Sequence, residues 1–234
     1  PILVMSPEPS AFEKMVAHHL EPELYSFEIL HQFELFLKQE GFSFYPIHLE
    51  IETGMNRLGF AISDLDKLAT ALLSTDAFKL QSVFTHLAAS EEAAHDAFSM
   101  EQYQRFEKAV SLLKTRTGFT FISHIANSAA AIRHPQMQMD MVRLGIGLYG
   151  VDSAASEKLN LQTVATLKST IAQLKKLEKG DTVSYNRKGV VENNATIATI
   201  RLGYADGFPR RLGNGAGQVW VNGKRVPVIG TVCM

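Results

Sequence analysis

The chain has 234 residues, 46% of them hydrophobic, and a formal net charge of -1 with acidic and basic residues interspersed. That length suits one large α/β domain or a medium domain followed by a smaller one. The mixed, near-neutral charge offers no footprint for nucleic acid and no polybasic segment for an anionic membrane, so a small ligand is the expected partner. The single cysteine, Cys233, excludes an internal disulfide and fits a reducing cytoplasm. No apolar run reaches transmembrane length, and the start at Pro1 lacks the charged and apolar regions of a signal peptide. The first residues, P-I-L-V-M, read as a buried strand and the last, V-C-M, fall within another, which predicts a piece of a longer protein.

In chain order, short apolar runs at residues 2–5, 24–27, 47–52, 81–86, 120–124 and 142–148 read as strands. Amphipathic segments lie between them. Ser10 with Glu13 and Ser99 with Gln102 fit capping boxes, the second flanked by Phe98 and Tyr103 at staple positions, and Ser63 precedes the run Leu65, Leu68, Leu72. A long helix is predicted from Met100 through Phe106, Val110 and Leu113, ending at Gly118. Strands alternating with helices of this length imply a parallel sheet, either doubly wound or part of a (β/α) barrel. No G-x-G-x-x-G follows the first strand, which weakens the dinucleotide-binding version. Polar residues collect instead at successive carboxyl strand ends, at 48–57, His86, 124–128 and 143–150, the face on which barrels build their sites. Residues 152–157 read as a polar linker, and beyond them β-like runs dominate, with Asn222-Gly223 as a two-residue type I′ hairpin turn. The predicted architecture is therefore α/β, a barrel-type domain over 1–150 and a mostly-β domain over 151–234.

Several stretches carry candidate chemistry. In R-L-G-Y-A-D-G-F-P-R-R, residues 201–211, glycines, Asp206-Gly207 and Pro209 build a turn that presents Tyr204; an ordinary β-turn with a packed tyrosine has the same signature. In H-I-A-N-S-A-A-A-I-R, residues 124–133, a helix begins at Asn127-Ser128, giving either a simple N-cap or a hydroxyl and free amides for an anion. Arg143 precedes Gly145 and Gly147, whose amides can approach a phosphate. His86 ends its strand and is as readily structural as catalytic. His48, Glu50 and Glu52 alternate along one strand, which needs a compensating cation such as Arg57. No H-x-x-x-H or cysteine pair supports a metal site there.

Taken together, the chain resembles the alanine racemase family of pyridoxal-phosphate enzymes. The matching segments, in family order, are H-L-E-I-E-T-G-M-N-R-L-G, T-H-L-A-A-S-E, H-I-A-N-S-A-A, R-L-G-I-G-L-Y-G, G-D-T-V-S-Y, I-R-L-G-Y-A-D-G-F-P-R-R and P-V-I-G-T-V-C-M. The resemblance implies a cytoplasmic homodimeric isomerase that binds pyridoxal 5′-phosphate and supplies D-alanine for peptidoglycan. It implies Tyr204 as one of two catalytic bases, reaching into the partner subunit's site, Arg143 facing the pyridine nitrogen, and His86 linking that arginine toward the tyrosine. Ser128 with the backbone of Gly145 and Ile146 would cradle the phosphate, with His124 and Asn127 beside them. Arg57 and the Met234 amide would hold the substrate carboxylate, with Glu50 and Cys233 in support. A free tyrosine titrates near about 10, so such a base needs nearby positive charge. An arginine does not readily give up its proton, so a ring nitrogen facing it stays unprotonated and the ring is a weaker electron sink.

The sequence also departs from the family. The lysine, alanine, tyrosine and glycine motif that carries the cofactor lysine is missing; Lys79 precedes its strand and would face the opposite rim. By the resemblance, the first two βα units of the barrel and the segment after Met234 are outside this chain, which predicts that the piece alone is inactive. At Glu50 the family commonly carries a lysine, often carbamylated, that orients Arg57; a glutamate already has a carboxylate for that role. Serine or another small amino acid as substrate, and a non-catalytic cofactor-binding protein, are the competing readings.

Overall fold

Consecutive βα units can close a parallel sheet only through crossover helices. Residues 1–154 and 159–234 are described by a computed structural model, so part of the expected linker at 152–157 lies outside the described residues. The chain divides into two units, Pro1–Ala165 and Thr166–Met234. In the first unit, β1 (Leu3–Val4), β2 (Glu21–Leu24), β3 (Tyr45–Glu50), β4 (Phe78–Phe84) and β5 (Ile122–His124) form one sheet in the order β1-β2-β3-β4-β5, with every neighbouring pair parallel. This unbroken sequential order is the winding of a barrel; a doubly wound sheet reverses direction at a switch point.

The connecting helices are α1 (Phe12–Ala17), α2 (Phe27–Gln39), α3 (Leu65–Leu73) and α4 (Asp96–Thr117), followed after β5 by α5 (Ser128–Arg133). Helix α2 shows why they pack. Ser26 caps it by accepting from the Ile29 amide, and Ile29, Leu30, Phe33 and Leu37 form its buried stripe. Phe33 is fully buried, edge-on to Phe12 and Tyr45 at 4.9 and 5.6 Å and stacked with Phe78 at 6.4 Å. Helix α4 ends where predicted, at Gly118, which takes the left-handed φ of 70°.

The structure shifts several expected boundaries. Strands β2, β3 and β4 lie toward the amino end of the predicted runs, because the polar residues after them leave the ladder for other partners: Thr53 and Thr85 share a 2.8 Å hydroxyl contact, and the Glu52 carboxylate takes the Gly54 and Asn56 amides. Glu52 therefore does not extend the His48-Glu50 strand. Lys79 lies within β4, not before it, and is exposed at the strand's amino end. Neither predicted capping box forms and Ser63 does not cap α3: α1 and α3 are entered through 3-10 turns without a side-chain cap, and α4 starts at Asp96, which leaves Ser99 and Gln102 buried inside it. The run 142–148 is not a strand; residues Ile146–Tyr149 form a 3-10 turn. Its two glycines break the ladder that Val142, Leu144 and Leu148 favour.

In the second unit β6 (Ile171–Leu177) pairs antiparallel with β9 (Ala195–Ile200), β7 (Thr182–Val183) with β8 (Gly189–Val190), and β10 (Gln218–Val221) with β11 (Lys224–Pro227). At the last turn Asn222 and Gly223 have φ of 48° and 76°, the double positive φ of a type I′ turn. Replacing Phe33 by alanine in the full-length protein is expected to cost about 3–5 kcal/mol in a denaturant titration, through loss of the aromatic cluster it centres; a loss below about 1 kcal/mol would contradict that packing.

Candidate active site

Arg143 organises the carboxyl end of the sheet. Its amide bonds the Ala126 carbonyl at 2.9 Å, which aims the side chain back over the ends of β4 and β5. The guanidinium donates from Nη1 to His124 Nδ1 at 2.6 Å, and from Nη2 to the Thr85 carbonyl at 2.7 Å and the Ile125 carbonyl at 3.2 Å; His86 Nδ1 lies 3.4 Å from Nη2. It also lies over the Phe84 ring, 5.1 Å from the centroid, and Phe84 stacks on His124 at 5.0 Å. Burial lowers the Arg143 pKa to about 10, so the group stays cationic at neutral pH, with Glu50 and Glu23 opposing the shift. The same burial, with Arg143 alongside, pushes His86 down to about 4 and His124 to about 3. Both imidazoles are neutral at pH 7, and each turns a lone pair toward the arginine.

Ser128 faces the same space. Asn127 takes the N-cap of α5, its Oδ1 accepting from the Ala130 amide at 3.0 Å and from Ser90 Oγ at 2.9 Å. That frees Ser128, whose Oγ accepts from the Gly145 amide at 2.9 Å and the Gly147 amide at 3.3 Å. A side chain at Gly147 would begin 3.4 Å from that oxygen. His86, Asn127, Ser128, Arg143, Gly145 and Ile146 all line one cleft of about 370 Å³.

Glu50, at 2% exposure, lies beside the buried Glu23 carboxyl, and burial together with Glu23 raises its pKa to about 9. Arg57 Nη2 is 3.8 Å from Glu50 Oε1, an ion-pair distance beyond hydrogen-bond reach, and the arginine is half exposed. Among the described residues no group of three or more His, Cys, Asp or Glu side chains is placed to hold a metal ion.

Tyr204, Cys233 and Met234 come together in the second unit. The Tyr204 amide donates to the Cys233 carbonyl at 2.9 Å, and the Gly203 amide to Asp206 Oδ2 at 2.9 Å. A Cβ on Gly203 would stand 2.1 Å from the Met234 carbonyl carbon, so only glycine admits this approach. The Tyr204 ring is 40% exposed, with the Arg210 guanidinium 5.1 Å from its centroid.

The family model described as "Alanine racemase, N-terminal domain" matches residues 1–153, and "Alanine racemase, C-terminal domain" matches 164–234. The chain belongs to the alanine racemase family. Alanine racemase 1 of Oceanobacillus iheyensis is 34% identical over 240 residues, covering 100% of this chain and 62% of that protein. The crystal structure of alanine racemase from D-cycloserine-producing Streptomyces lavendulae superposes with a TM-score of 0.91 at 26% identity, covering 100% of this chain and 62% of that one. The alanine racemase of Bartonella henselae, solved with covalently bound pyridoxal phosphate, gives 0.83 at 27% identity, with 100% and 63% covered. The chain thus spans somewhat under two thirds of the length of these relatives.

Within this alanine racemase framework the structure adds groups that the motifs did not single out. The Thr85 and Ile125 carbonyls hold Arg143, and Ser82 Oγ lies 3.1 Å from His124 Nε2. Glu21 and Glu23 were hidden because β2 starts earlier than its apolar run; the period-two pair Glu21/Glu23, echoing His48/Glu50, was the available signal.

The histidine shifts have a stability consequence. His86 titrates at 6.5 unfolded and about 4 folded, so its contribution is intact above about pH 6.5 and is lost as pH falls toward 4. Allowing for its partly solvated ring, the loss is about 2 kcal/mol. His86→Gln is expected to flatten the fall in unfolding free energy between pH 6.5 and 4; an unchanged slope would place the charge change elsewhere.

Proposed function

We propose that the full-length protein interconverts L- and D-alanine with pyridoxal 5′-phosphate, by a two-base mechanism in which Tyr204 is one base. The observation that carries this reading is the single cleft lined by a donor-only cation, Arg143, the neutral His86 imidazole, Ser128 and Gly145, with the buried His124 ring behind the arginine. Those residues fit a phosphate-bearing aromatic ring. The Gly145 and Gly147 amides both donate to Ser128 Oγ, which leaves the serine hydroxyl proton for an acceptor in the cleft, and an anion seated there can share those amide protons. Arg143, backed by the buried Phe84 ring, supplies a cationic neighbour at the cleft. The bound pyridoxal phosphate of the Bartonella henselae relative agrees with this assignment.

When bound, the cofactor supplies a conjugated ring that accepts electron density from the substrate Cα. Arg143 offers only N–H donors, so it leaves a facing ring nitrogen unprotonated and keeps that electron sink weak, which favours return of the proton over side reactions. His86, neutral with Nδ1 turned to Arg143, keeps its Nε2 proton for a second partner. Gly203 and the Cys233 carbonyl fix the Tyr204 backbone, so its phenol can give and take a proton from a set position. Arg57, exposed and loosely paired, and the Met234 amide are the donors assigned to the substrate carboxylate.

These 234 residues lack the family's lysine motif, so the second base and covalent attachment are assigned to residues outside them, and the piece alone is proposed to be inactive. A homodimer with shared sites, in a cytoplasm where D-alanine feeds peptidoglycan, completes the proposal. In the full-length holoenzyme, Tyr204→Phe is expected to lower racemisation by roughly 10²–10⁴-fold while the cofactor absorbance persists. Undiminished racemisation would remove Tyr204 from the mechanism, and turnover of serine but not alanine would reassign the substrate.

A further inference from the structure

The polar groups beneath Arg143 continue well past the cleft. His124 Nε2 lies 3.1 Å from Ser82 Oγ, Ser82 Oγ 2.6 Å from His48 Nδ1, and His48 Nε2 2.8 Å from Glu21 Oε2. With the 2.6 Å contact from Arg143 to His124, five residues on four successive structural steps form one continuous line. We propose that Glu21, His48 and Ser82 are positioning residues for Arg143, forming with His124 a one-directional hydrogen-bond chain that fixes the proton on His124 and holds the guanidinium in place. This rests on the role assigned to Arg143 above.

The direction follows from donor and acceptor inventory. A guanidinium cannot accept, so His124 Nδ1 must present a lone pair, and a neutral imidazole then carries its proton on Nε2. That N–H donates to Ser82 Oγ. The serine hydroxyl is left to donate to His48 Nδ1, so His48 carries its proton on Nε2 and donates it to the Glu21 carboxylate. Every bond points from the cation to the anion, an alignment in which each bond polarises the next. Reversal would need an accepting arginine. Only a doubly protonated histidine could break the order, and burial disfavours the charged form of both rings.

The backbone is bent to make this line. Along β3 and β4, Ile47 pairs with Leu80 but His48 pairs with Ser82, because a bulge skips Gln81. Without that irregularity a glutamine would stand opposite His48. Such bulges re-aim side chains beside sites. Ser82 and His124 are fully buried, and the His48 and Glu21 side chains are 10% and 14% exposed, so the chain is shielded from competing water along its length.

The test is nitrogen NMR of the histidine ring atoms in full-length protein labelled with ¹⁵N-histidine, together with racemisation kinetics. His48 and His124 are expected as Nε2-protonated neutral tautomers from pH 6 to 8. Ser82→Ala should shift both rings toward mixed tautomers and lower kcat on the order of tenfold with little change in KM, as loss of a partner behind a site histidine does elsewhere; Ser82→Thr, which keeps the hydroxyl, should restore both. Glu21→Ala, at the solvent end of the line and tolerable to the fold, should release the His48 tautomer. Ring shifts unchanged in both Ser82→Ala and Glu21→Ala, or an Nδ1-protonated His124 in the wild type, would overturn the proposal. Because the spectra do not depend on turnover, a protein with the expected tautomers but no racemase activity would discard the proposed function alone.

Discussion

The constraint on which the site depends is a buried cation that can only donate. Placing a guanidinium at the end of a sheet costs desolvation unless every direction it faces offers an acceptor or a π face. The Thr85 and Ile125 carbonyls, the two histidine lone pairs and the Phe84 ring meet that requirement. Their positions are not independent choices. A carbonyl at a strand end is free to accept because the ladder has stopped there, so the ends of β4 and β5 and the capture of Arg143 are one event. Burial, with the arginine's charge added to it, keeps both imidazoles neutral, since a protonated ring there would be a second buried cation with no lone pair to offer.

This coupling explains what could and could not be read from the sequence. The βα alternation, the Gly118 helix end and the Asn222-Gly223 hairpin were legible because each depends on local geometry, a period, a left-handed φ or a two-residue turn. The capping boxes at Ser10 and Ser99 were not, because a preceding 3-10 turn or an earlier helix start had already met the amides they would serve. The apolar run at 142–148 misled for a related reason. Its hydrophobic residues favour a strand, but Gly145 and Gly147 give up the ladder and turn their amides to Ser128. The residues of the site were visible as motifs; the bulge that sets His48 against Ser82 was not, since register between strands leaves no mark in either strand alone.

The second unit solves a different problem, holding an exposed tyrosine at a set backbone position. No core surrounds Tyr204, so the constraint comes from the chain itself. Gly203 lies against the Met234 backbone too closely for any Cβ, and the Tyr204 amide is tied to the Cys233 carbonyl. The Cα is thereby held, while the ring projects from it beside the Arg210 guanidinium. Cys233 serves here through its carbonyl oxygen, and its thiol, not in a disulfide, contacts Ser184 Oγ and the Thr231 carbonyl.

Glu50 shows how a shared position can keep its place and change its chemistry. The resemblance suggested a carboxylate standing in for a carbamylated lysine and orienting Arg57. In the fold the group is buried against Glu23, whose Oε2 is already committed to the Ser6 amide at 2.6 Å. Two ionised carboxylates so placed repel, and neither Glu23 Oε1 nor Glu50 Oε2 receives a proton from another group. Burial disfavours the charged carboxylate, and a proton retained by Glu50 also relieves the repulsion and supplies the missing donor, so its pKa climbs to about 9. The pair then carries a single negative charge, and a neutral Glu50 meets Arg57 as a dipole at 3.8 Å. Its hold on that arginine is therefore weaker than that of a full ion pair.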